Sequence, residues 1–165
     1  MKVPSVAVAL GAPAGIGPEI IASTFTEKGF QDENRAFVVG DAQIMRRAVG
    51  LMELSLDVNE IENLEEALFE PGSVDVLQVG ELPGDLPFGE LDTRAGAEAF
   101  DYVRRATGLA LEGGVGAVAT APLNKEAMHM GGYEYPGHTE ILAELTGTRD
   151  FAMMLQTKEL RVSSM

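Results

Sequence analysis

Polar side chains collect just after one predicted strand of this 165-residue sequence. Residues 115–120 form an apolar run that is typical of a buried strand, and Pro122 prevents that strand from continuing in a sheet. Thr120, Asn124 and Lys125 therefore lie at or just beyond its carboxyl end. Because ligands bind outside the carboxyl ends of the strands in open α/β sheets, we expect these side chains to line a ligand site.

A second polar group, His138 and Thr139, stands at the start of a short helix predicted over residues 139–146, with His138 just before it. Gly137 precedes this helix, and Gly147 is expected to end it. The free N–H groups and the positive dipole end of a helix start suit an anionic ligand. Imidazole and hydroxyl groups can hydrogen-bond to hydroxyl or carboxylate oxygens. A lone histidine is more often structural or exposed, so the residue types alone leave both interpretations of His138 open.

The charge of Lys125 is isolated in the sequence. It is the only lysine or arginine between Arg105 and Arg149, in a chain whose net charge is −14. Such acidity argues against nucleic acid as a partner, because phosphate backbones require a basic patch. It also makes the binding of any anionic substrate depend on local cations. We therefore predict an electrostatic contact between Lys125 and the ligand, although a solvated surface lysine is the commoner alternative.

The glycine-rich loop over residues 11–17 follows a predicted strand and precedes a predicted helix, as phosphate-binding loops do. Its glycines at positions 11, 15 and 17 do not match the dinucleotide-binding pattern, and no Gly-Lys-Ser/Thr follows. A tight turn that requires glycine at positive φ explains the same residues equally well. Both interpretations remain open.

Four residues outside these segments carry weaker signals. Met153 and Met154 are predicted to pack in a core, the usual role of methionine. His129 belongs to no motif and is predicted to lie on the surface. Arg161 could anchor a carboxylate or only cap a strand, and the sequence favours neither.

The composition predicts a globular cytoplasmic protein. A chain of this length with 45% hydrophobic residues can bury a core. It has no cysteine, which excludes disulfides and thiolate metal sites and is compatible with the cytoplasm. No apolar run is long enough to span a membrane, and the amino terminus does not resemble a signal peptide.

Predicted strands and helices alternate along the chain, which is typical of an α/β fold with a mainly parallel sheet and helices on both faces. The strands are predicted over residues 3–10, 35–40, 54–58, 74–79, 115–120, 151–155 and 158–162. The helices are predicted over residues 18–28, 42–49, 59–70, 94–112 and 139–146, with Asp41 and Thr93 as caps. The Pro/Gly-rich loop over residues 80–92 is the best internal boundary.

Four short motifs occur together in an order that resembles one known family. They are Thr120-Ala121-Pro122-Leu123-Asn124-Lys125, Gly137-His138-Thr139-Glu140, Met153-Met154-Leu155 and Glu159-Leu160-Arg161-Val162. They resemble the 4-hydroxythreonine-4-phosphate dehydrogenase family of the vitamin B6 pathway. The opening run Gly11-Ala12-Pro13-Ala14-Gly15-Ile16-Gly17-Pro18-Glu19 is similar to that family's first signature, although its second position is usually acidic and is Ala12 here. The resemblance covers the whole chain but only the amino-terminal half of the family pattern.

This resemblance implies a three-layer α/β/α fold like that of isocitrate and isopropylmalate dehydrogenases, in truncated form. Residues 1–92 would be part of a first lobe and residues 93–165 the start of a second, with the active site in the cleft of a homodimer. It also implies oxidation of the secondary alcohol of 4-phosphohydroxythreonine by NAD(P), followed by decarboxylation toward pyridoxal phosphate. A divalent Zn, Mg or Co ion would polarise the alcohol oxygen. His138 and Thr139 would contact the phosphorylated substrate. We also predict that Lys125 binds the substrate, because it follows the predicted strand that ends at the same site.

The family's metal site cannot be built from these residues. It uses three histidines, whereas this sequence has two, and neither stands at a ligand position. The family residues that hold the cofactor and much of the phosphate also lie outside the matched half. We therefore expect an inactive fragment or truncated gene product.

Three other functions stay open at this point. One is a dehydrogenase of a related four-carbon sugar-acid 4-phosphate, and another is a non-catalytic α/β protein that binds phosphate compounds. A phosphoacyl transferase on a related fold is a weaker third alternative.

Overall fold

The computed structural model describes residues 4–164 and contains one parallel five-stranded sheet. Its strands are β1 (Val6–Ala9), β2 (Ala36–Gly40), β3 (Asp57–Ile61), β4 (Ser73–Gln78) and β5 (Ala117–Thr120). Their order across the sheet is β3-β4-β2-β1-β5, and every neighbouring pair is parallel. The last two strands, β6 (Met153–Gln156) and β7 (Arg161–Ser164), form a separate antiparallel hairpin.

Helices cover both faces of this sheet. They are α1 (Gly17–Phe25), α2 (Phe30–Asn34), α3 (Ala42–Leu51), α4 (Thr93–Leu111), α5 (Lys125–Met130) and α6 (His138–Thr146). Helix α1 packs against α3, whereas α4 contacts β1, β2 and β5 and carries α5 and α6. All five residues of the central β2 are buried. Since successive strand side chains point to opposite faces, both faces are covered there. The predicted α/β fold with a parallel sheet is confirmed.

Carboxylates begin two of the long helices. Asp41 accepts hydrogen bonds from the backbone N–H groups of Gln43 and Ile44 at 2.7 and 3.3 Å, so the predicted cap of α3 is confirmed. The predicted cap of α4 is wrong by one residue. Asp92, not Thr93, accepts from the backbone N–H groups of the first turn, at 2.8 and 3.1 Å. A carboxylate is a strong acceptor for these donors and suits the positive end of the helix.

The helix predicted over residues 59–70 is wrong. The first part of this stretch belongs to β3, which pairs in parallel with β4, and only a 3₁₀ turn over Leu64–Glu66 follows. The buried carboxylate of Asp75 on β4 then accepts from the backbone N–H groups of Leu68 and Phe69, at 3.2 and 2.8 Å. These side-chain hydrogen bonds take up backbone N–H groups that a helix would use. The pairing of β3 with β4 therefore overrides the helical spacing of the apolar residues.

Two expectations of burial are also wrong. Strand β5 is an edge of the sheet within the described residues, and its side chains alternate between exposed and half-buried. Met153 and Met154 are 50% and 53% exposed, because β6 pairs with β7 and no other described strand. His129 is exposed, as predicted. Arg161 is exposed at the start of β7, and neither interpretation of it is tested.

The loop over residues 80–92 connects β4 to α4, as predicted. However, β5, which follows this loop, pairs with β1, which precedes it. One sheet therefore contains strands from both sides of the predicted boundary, and the division into two lobes stays a prediction. Among residues 4–164, no helix combines the length and the apolar character that crossing a membrane requires.

Candidate functional site

The candidate site lies where the chain leaves β1 and β5 in different directions. After β1, the loop over residues 11–16 leads into α1, which packs on the α3 side of the sheet. After β5, residues 121–124 lead into α5, which packs on α4. Such a point opens a crevice at the carboxyl ends of two adjacent parallel strands. The two loops are joined by a hydrogen bond from the Ala12 N–H to the Pro122 carbonyl, at 2.8 Å.

Glycine is required in the first loop for close packing. Gly11 has φ of +75°, and a Cβ added there would lie 2.5 Å from the Pro122 carbonyl oxygen. A Cβ at Gly17 would lie 2.6 Å from the Leu10 carbonyl oxygen. Both approaches are to backbone atoms, which cannot rotate away as a side chain can. The tight-turn interpretation therefore explains these two glycines, and a ligand contact of this loop stays a prediction.

Two further glycines set the position of α5. A Cβ at Gly96 of α4 would lie 1.8 Å from the Ala127 carbonyl oxygen. A Cβ at Gly131, just after α5, would lie 2.6 Å from the Ala97 backbone nitrogen. The two backbones thus touch without side chains between them. Helix α5 is capped by Asn124, whose side-chain oxygen accepts from the Ala127 N–H at 3.0 Å. The predicted site residue Asn124 therefore also has a structural role.

The structure brings Lys125 to the start of α6. A Cβ added at Gly137 would lie 4.0 Å from the Lys125 Cε and 3.7 Å from a Glu140 carboxylate oxygen. Lys125 is exposed, and it takes part in none of the ion pairs formed by the described residues. Its ammonium group is therefore available to an anion near the first turn of α6. Thr139 lies half-buried in that turn.

His138 is half-buried at the first position of α6. Burial lowers the pKa of this imidazole, and the nearby Ala121 backbone partly opposes that shift. The ring is therefore mainly neutral at neutral pH. Its Nε2 is buried, and no described atom hydrogen-bonds to it. An unpaired buried polar atom costs free energy, which a ligand could recover by hydrogen bonding to it.

The crevice itself is small. The cavity between the two loops has a volume of about 60 Å³ and is lined mainly by small residues of the first loop and α4, together with Gly89, Glu90 and Asn124. Pockets that enclose a ligand are typically about 300–1,000 Å³. This cavity is therefore too small to enclose a substrate together with a dinucleotide, and Asn124 lines it whereas Lys125, His138 and Thr139 do not.

The described residues do not fit the family's metal. Within residues 4–164, no group of three or more histidine, aspartate or glutamate side chains could hold a metal ion. His129 is on α5, and its Nε2 donates to the Tyr135 carbonyl at 3.0 Å. The other histidine, His138, lies near the Ala121 backbone.

An aromatic cluster beneath α6 was not predicted from the sequence. The ring of Phe100 on α4 stacks on Tyr133 with centroids 3.8 Å apart and planes at 13°. It also lies parallel to Tyr135, at 5.6 Å and 8°. Phe100 is recognisable as part of the apolar stripe of α4. The spacing of the two tyrosines indicates a shared face only once their extended conformation is known.

Comparisons with known proteins agree with this architecture. Residues 32–165 match the family described as "Pyridoxal phosphate biosynthetic protein PdxA". D-threonate 4-phosphate dehydrogenases from Cupriavidus necator and Salmonella typhimurium are 42% and 43% identical, over 96% and 98% of this chain. The crystal structure of a 4-hydroxythreonine-4-phosphate dehydrogenase from Burkholderia phymatum superposes with a TM-score of 0.93, at 40% identity over 99% of this chain. The chain spans about half the length of these relatives, 48–50%.

Proposed function

Because the chain belongs to the PdxA family, we propose that it forms the substrate-binding wall of a dehydrogenase that acts on a phosphorylated four-carbon hydroxy acid. The observation that carries this proposal is an unpaired cation beside the start of α6, after the carboxyl end of β5. Lys125 lies next to Gly137, and the following residue, His138, has a buried Nε2 without a hydrogen-bond partner among the described residues. Both belong to motifs that resemble the family pattern.

Each residue has a distinct role in this proposal. The Lys125 ammonium attracts the phosphate or carboxylate of the substrate, because it is the available cation beside α6. The neutral His138 ring offers Nε2 to a substrate hydroxyl, either as donor or as acceptor according to its tautomer. Thr139 adds a hydroxyl in the same turn of α6. These residues bind and orient the substrate, and none of them carries the hydride step.

The names of the relatives favour two substrates. The Cupriavidus and Salmonella relatives are named for D-threonate 4-phosphate, and the Burkholderia structure for 4-hydroxythreonine 4-phosphate. These compounds share the 4-phosphate, the carboxylate and an oxidisable hydroxyl, and differ in a hydroxyl or amino group at C2. In this proposal, Lys125, His138 and Thr139 bind the groups that the two compounds share. We propose D-threonate 4-phosphate first, since both curated relatives carry that name, and 4-hydroxythreonine 4-phosphate second.

As in the family, the proposed reaction would use NAD(P) as hydride acceptor, a divalent metal as a Lewis acid and a homodimeric assembly, and the residues that would hold the metal lie outside the described ones. The described residues of this chain do not supply the metal ligands, and the cavity between the two loops is too small for a dinucleotide. Their contribution is to hold and orient the substrate.

Calorimetric titration of D-threonate 4-phosphate into the chain tests the proposal. A charge-assisted contact is worth about 1.5–3 kcal/mol, so Lys125→Ala should weaken binding about tenfold to a hundredfold. Thr139→Ala removes a neutral hydroxyl and should cost less. Lys28→Ala is the matched control, because Lys28 lies after α1, at the opposite end of the sheet.

The same titrations with 4-hydroxythreonine 4-phosphate compare the two substrates. Equal affinities for Lys125→Ala and Lys28→Ala would exclude the proposed role of Lys125. The chain alone should not reduce NAD(P) in the presence of Zn²⁺, Mg²⁺ or Co²⁺. Turnover on the order of 1 per second would show that it carries the complete chemistry.

A further inference from the structure

Tyr135 connects three helices around the candidate site. Its ring lies parallel to Phe100 of α4, with centroids 5.6 Å apart. Its backbone carbonyl accepts a hydrogen bond from His129 Nε2 of α5, at 3.0 Å. Its hydroxyl faces Glu144 of α6, and this carboxylate raises the pKa of the phenol. Each of these three contacts reaches a different helix.

The link from Tyr135 to His138 is short, and proline restricts its first half. Pro136 fixes its own φ and restricts the residue before it to an extended backbone. Only Gly137 separates Pro136 from the imidazole. Three residues span at most about 10 Å, so an anchor at Tyr135 limits where His138 can lie.

The packing of His138 depends on this position. The residue before α6 is Gly137, which has no side chain to cap the helix through a hydrogen bond. The imidazole is nevertheless half-buried near the Ala121 backbone. The next helix residue packed fully into the core is Ile141, one turn further on. The anchor before His138 and the buried Ile141 after it together hold the first turn of α6.

We propose that Tyr135 is a positioning residue, which holds the imidazole of His138 against the Ala121 backbone. This inference deepens the proposed function and rests on it for the ligand. Tyr135 itself touches neither reacting atoms nor cofactor in this proposal. It acts through the stacked ring and the short link to α6.

The two histidines of the chain make the test direct. Their imidazole resonances can be assigned with His129→Gln and His138→Gln, and then followed by NMR as the pH is changed. In Tyr135→Leu, the stack is lost and the first turn of α6 loosens. His138 should then titrate closer to the ordinary value of about 6.5. The affinity for D-threonate 4-phosphate should fall about twofold to tenfold, the range that one neutral hydrogen bond gives.

Two further variants separate positioning from stability. Tyr135→Phe keeps the ring, so the His138 titration should stay close to that of the parent chain. Phe30→Leu removes an edge-to-face pair with Phe25, centroids 5.1 Å apart, near the far end of α1. It should lower the unfolding midpoint without moving the His138 titration.

If Tyr135→Leu destabilises the chain as Phe30→Leu does but leaves the His138 titration unchanged, Tyr135 is merely structural and the inference fails. If Tyr135→Phe moves the titration as far as Tyr135→Leu, the stacked ring is not the anchor and the inference fails in this form. If Tyr135→Leu moves the titration while the parent chain does not bind the phosphate compound, the positioning stands and the proposed substrate is wrong.

Discussion

The contact between α4 and α5 makes a sharp prediction about Gly96. In Gly96→Ala the added Cβ would lie 1.8 Å from the Ala127 carbonyl oxygen and 2.7 Å from the Met128 nitrogen. Restoring a separation of 3.0 Å requires α5 to move by at least 1.2 Å, the difference between 3.0 and 1.8 Å. Because both atoms belong to the backbone, no change of rotamer can relieve the clash. Lys125 begins α5 and would move with it.

The magnitude follows from two opposing effects. Overpacking costs about 1–3 kcal/mol, and a backbone clash belongs at the upper end of that range. Replacing glycine by alanine inside a helix returns about 1 kcal/mol of helix propensity. We expect Gly96→Ala to lower the free energy of unfolding by about 2 kcal/mol. With a urea slope near 2 kcal/mol per M, the midpoint should fall by about 1 M.

Gly108→Ala is the matched control in the same helix. A Cβ there would meet no atom within 4 Å, so only the gain in helix propensity remains. This variant should raise the free energy of unfolding by about 0.5–1 kcal/mol. Urea unfolding followed by circular dichroism measures both changes. If the two variants shift the midpoint in the same direction, α4 and α5 do not pack as described.

Two acidic residues of the α4 region should respond to pH in opposite directions. Hydrogen bonding to the Arg94 side chain, together with the first backbone N–H groups of α4, lowers the pKa of Asp92 to about 2. The ionised Asp92 therefore stabilises the fold above the ordinary aspartate pKa of about 3.9, and this stabilisation is lost as the pH falls through about 2. Asp92→Ala should lower the free energy of unfolding by about 0.5–2 kcal/mol at neutral pH and by little near pH 2. Burial and the nearby Asp101 raise the pKa of Glu98. Ionising this carboxyl group in the folded chain therefore costs free energy, so the fold loses stability as the pH rises above the ordinary glutamate pKa of about 4.3. Glu98→Gln should be more stable than the parent chain at neutral pH, and this advantage should disappear below about pH 4.3. Urea midpoints measured over a range of pH test the predictions for both residues. A stability difference that does not change with pH would contradict the prediction for that residue.

Local signals predicted the elements whose ends depend on nearby residues. Asp41 was identified as a cap because it precedes an apolar stripe, and its carboxylate does bond to the first turn of α3. Gly147 ends α6 at φ of 65°, as its position after the stripe predicted. These contacts involve residues close in sequence, so the sequence pattern contains the information.

Long-range contacts decided the elements that were predicted wrongly. Residues 57–61 form a strand because the more distant strand β4 pairs with them. Met153 and Met154 are apolar but exposed. The residue type indicates a preference for burial, but it does not indicate which other residues will cover the side chain. In neither case does the local sequence contain the deciding partner.

The candidate site combines both kinds of information. The sequence indicated Lys125 and His138 by residue type, charge isolation and motif. It could not show that they meet, because their proximity depends on backbone contacts at Gly96 and Gly131 and on the ring stack of Phe100. These contacts fix α5 and α6 on the same helix, α4, without touching a ligand.

The proposed function also separates the affinity for the substrates from the choice between them. In that proposal, Lys125 and the first turn of α6 would contact anionic and hydroxyl groups, which both proposed substrates share. In a chain of net charge −14, the Lys125 cation would attract the phosphate of either substrate. A hydrogen-bond partner that distinguishes the hydroxyl from the amino group at C2 would change the ratio of the two affinities, because an unpaired polar group is costly. Lys125→Ala should therefore lower the affinity for both substrates by the same factor. Unequal losses of affinity would place Lys125 beside C2.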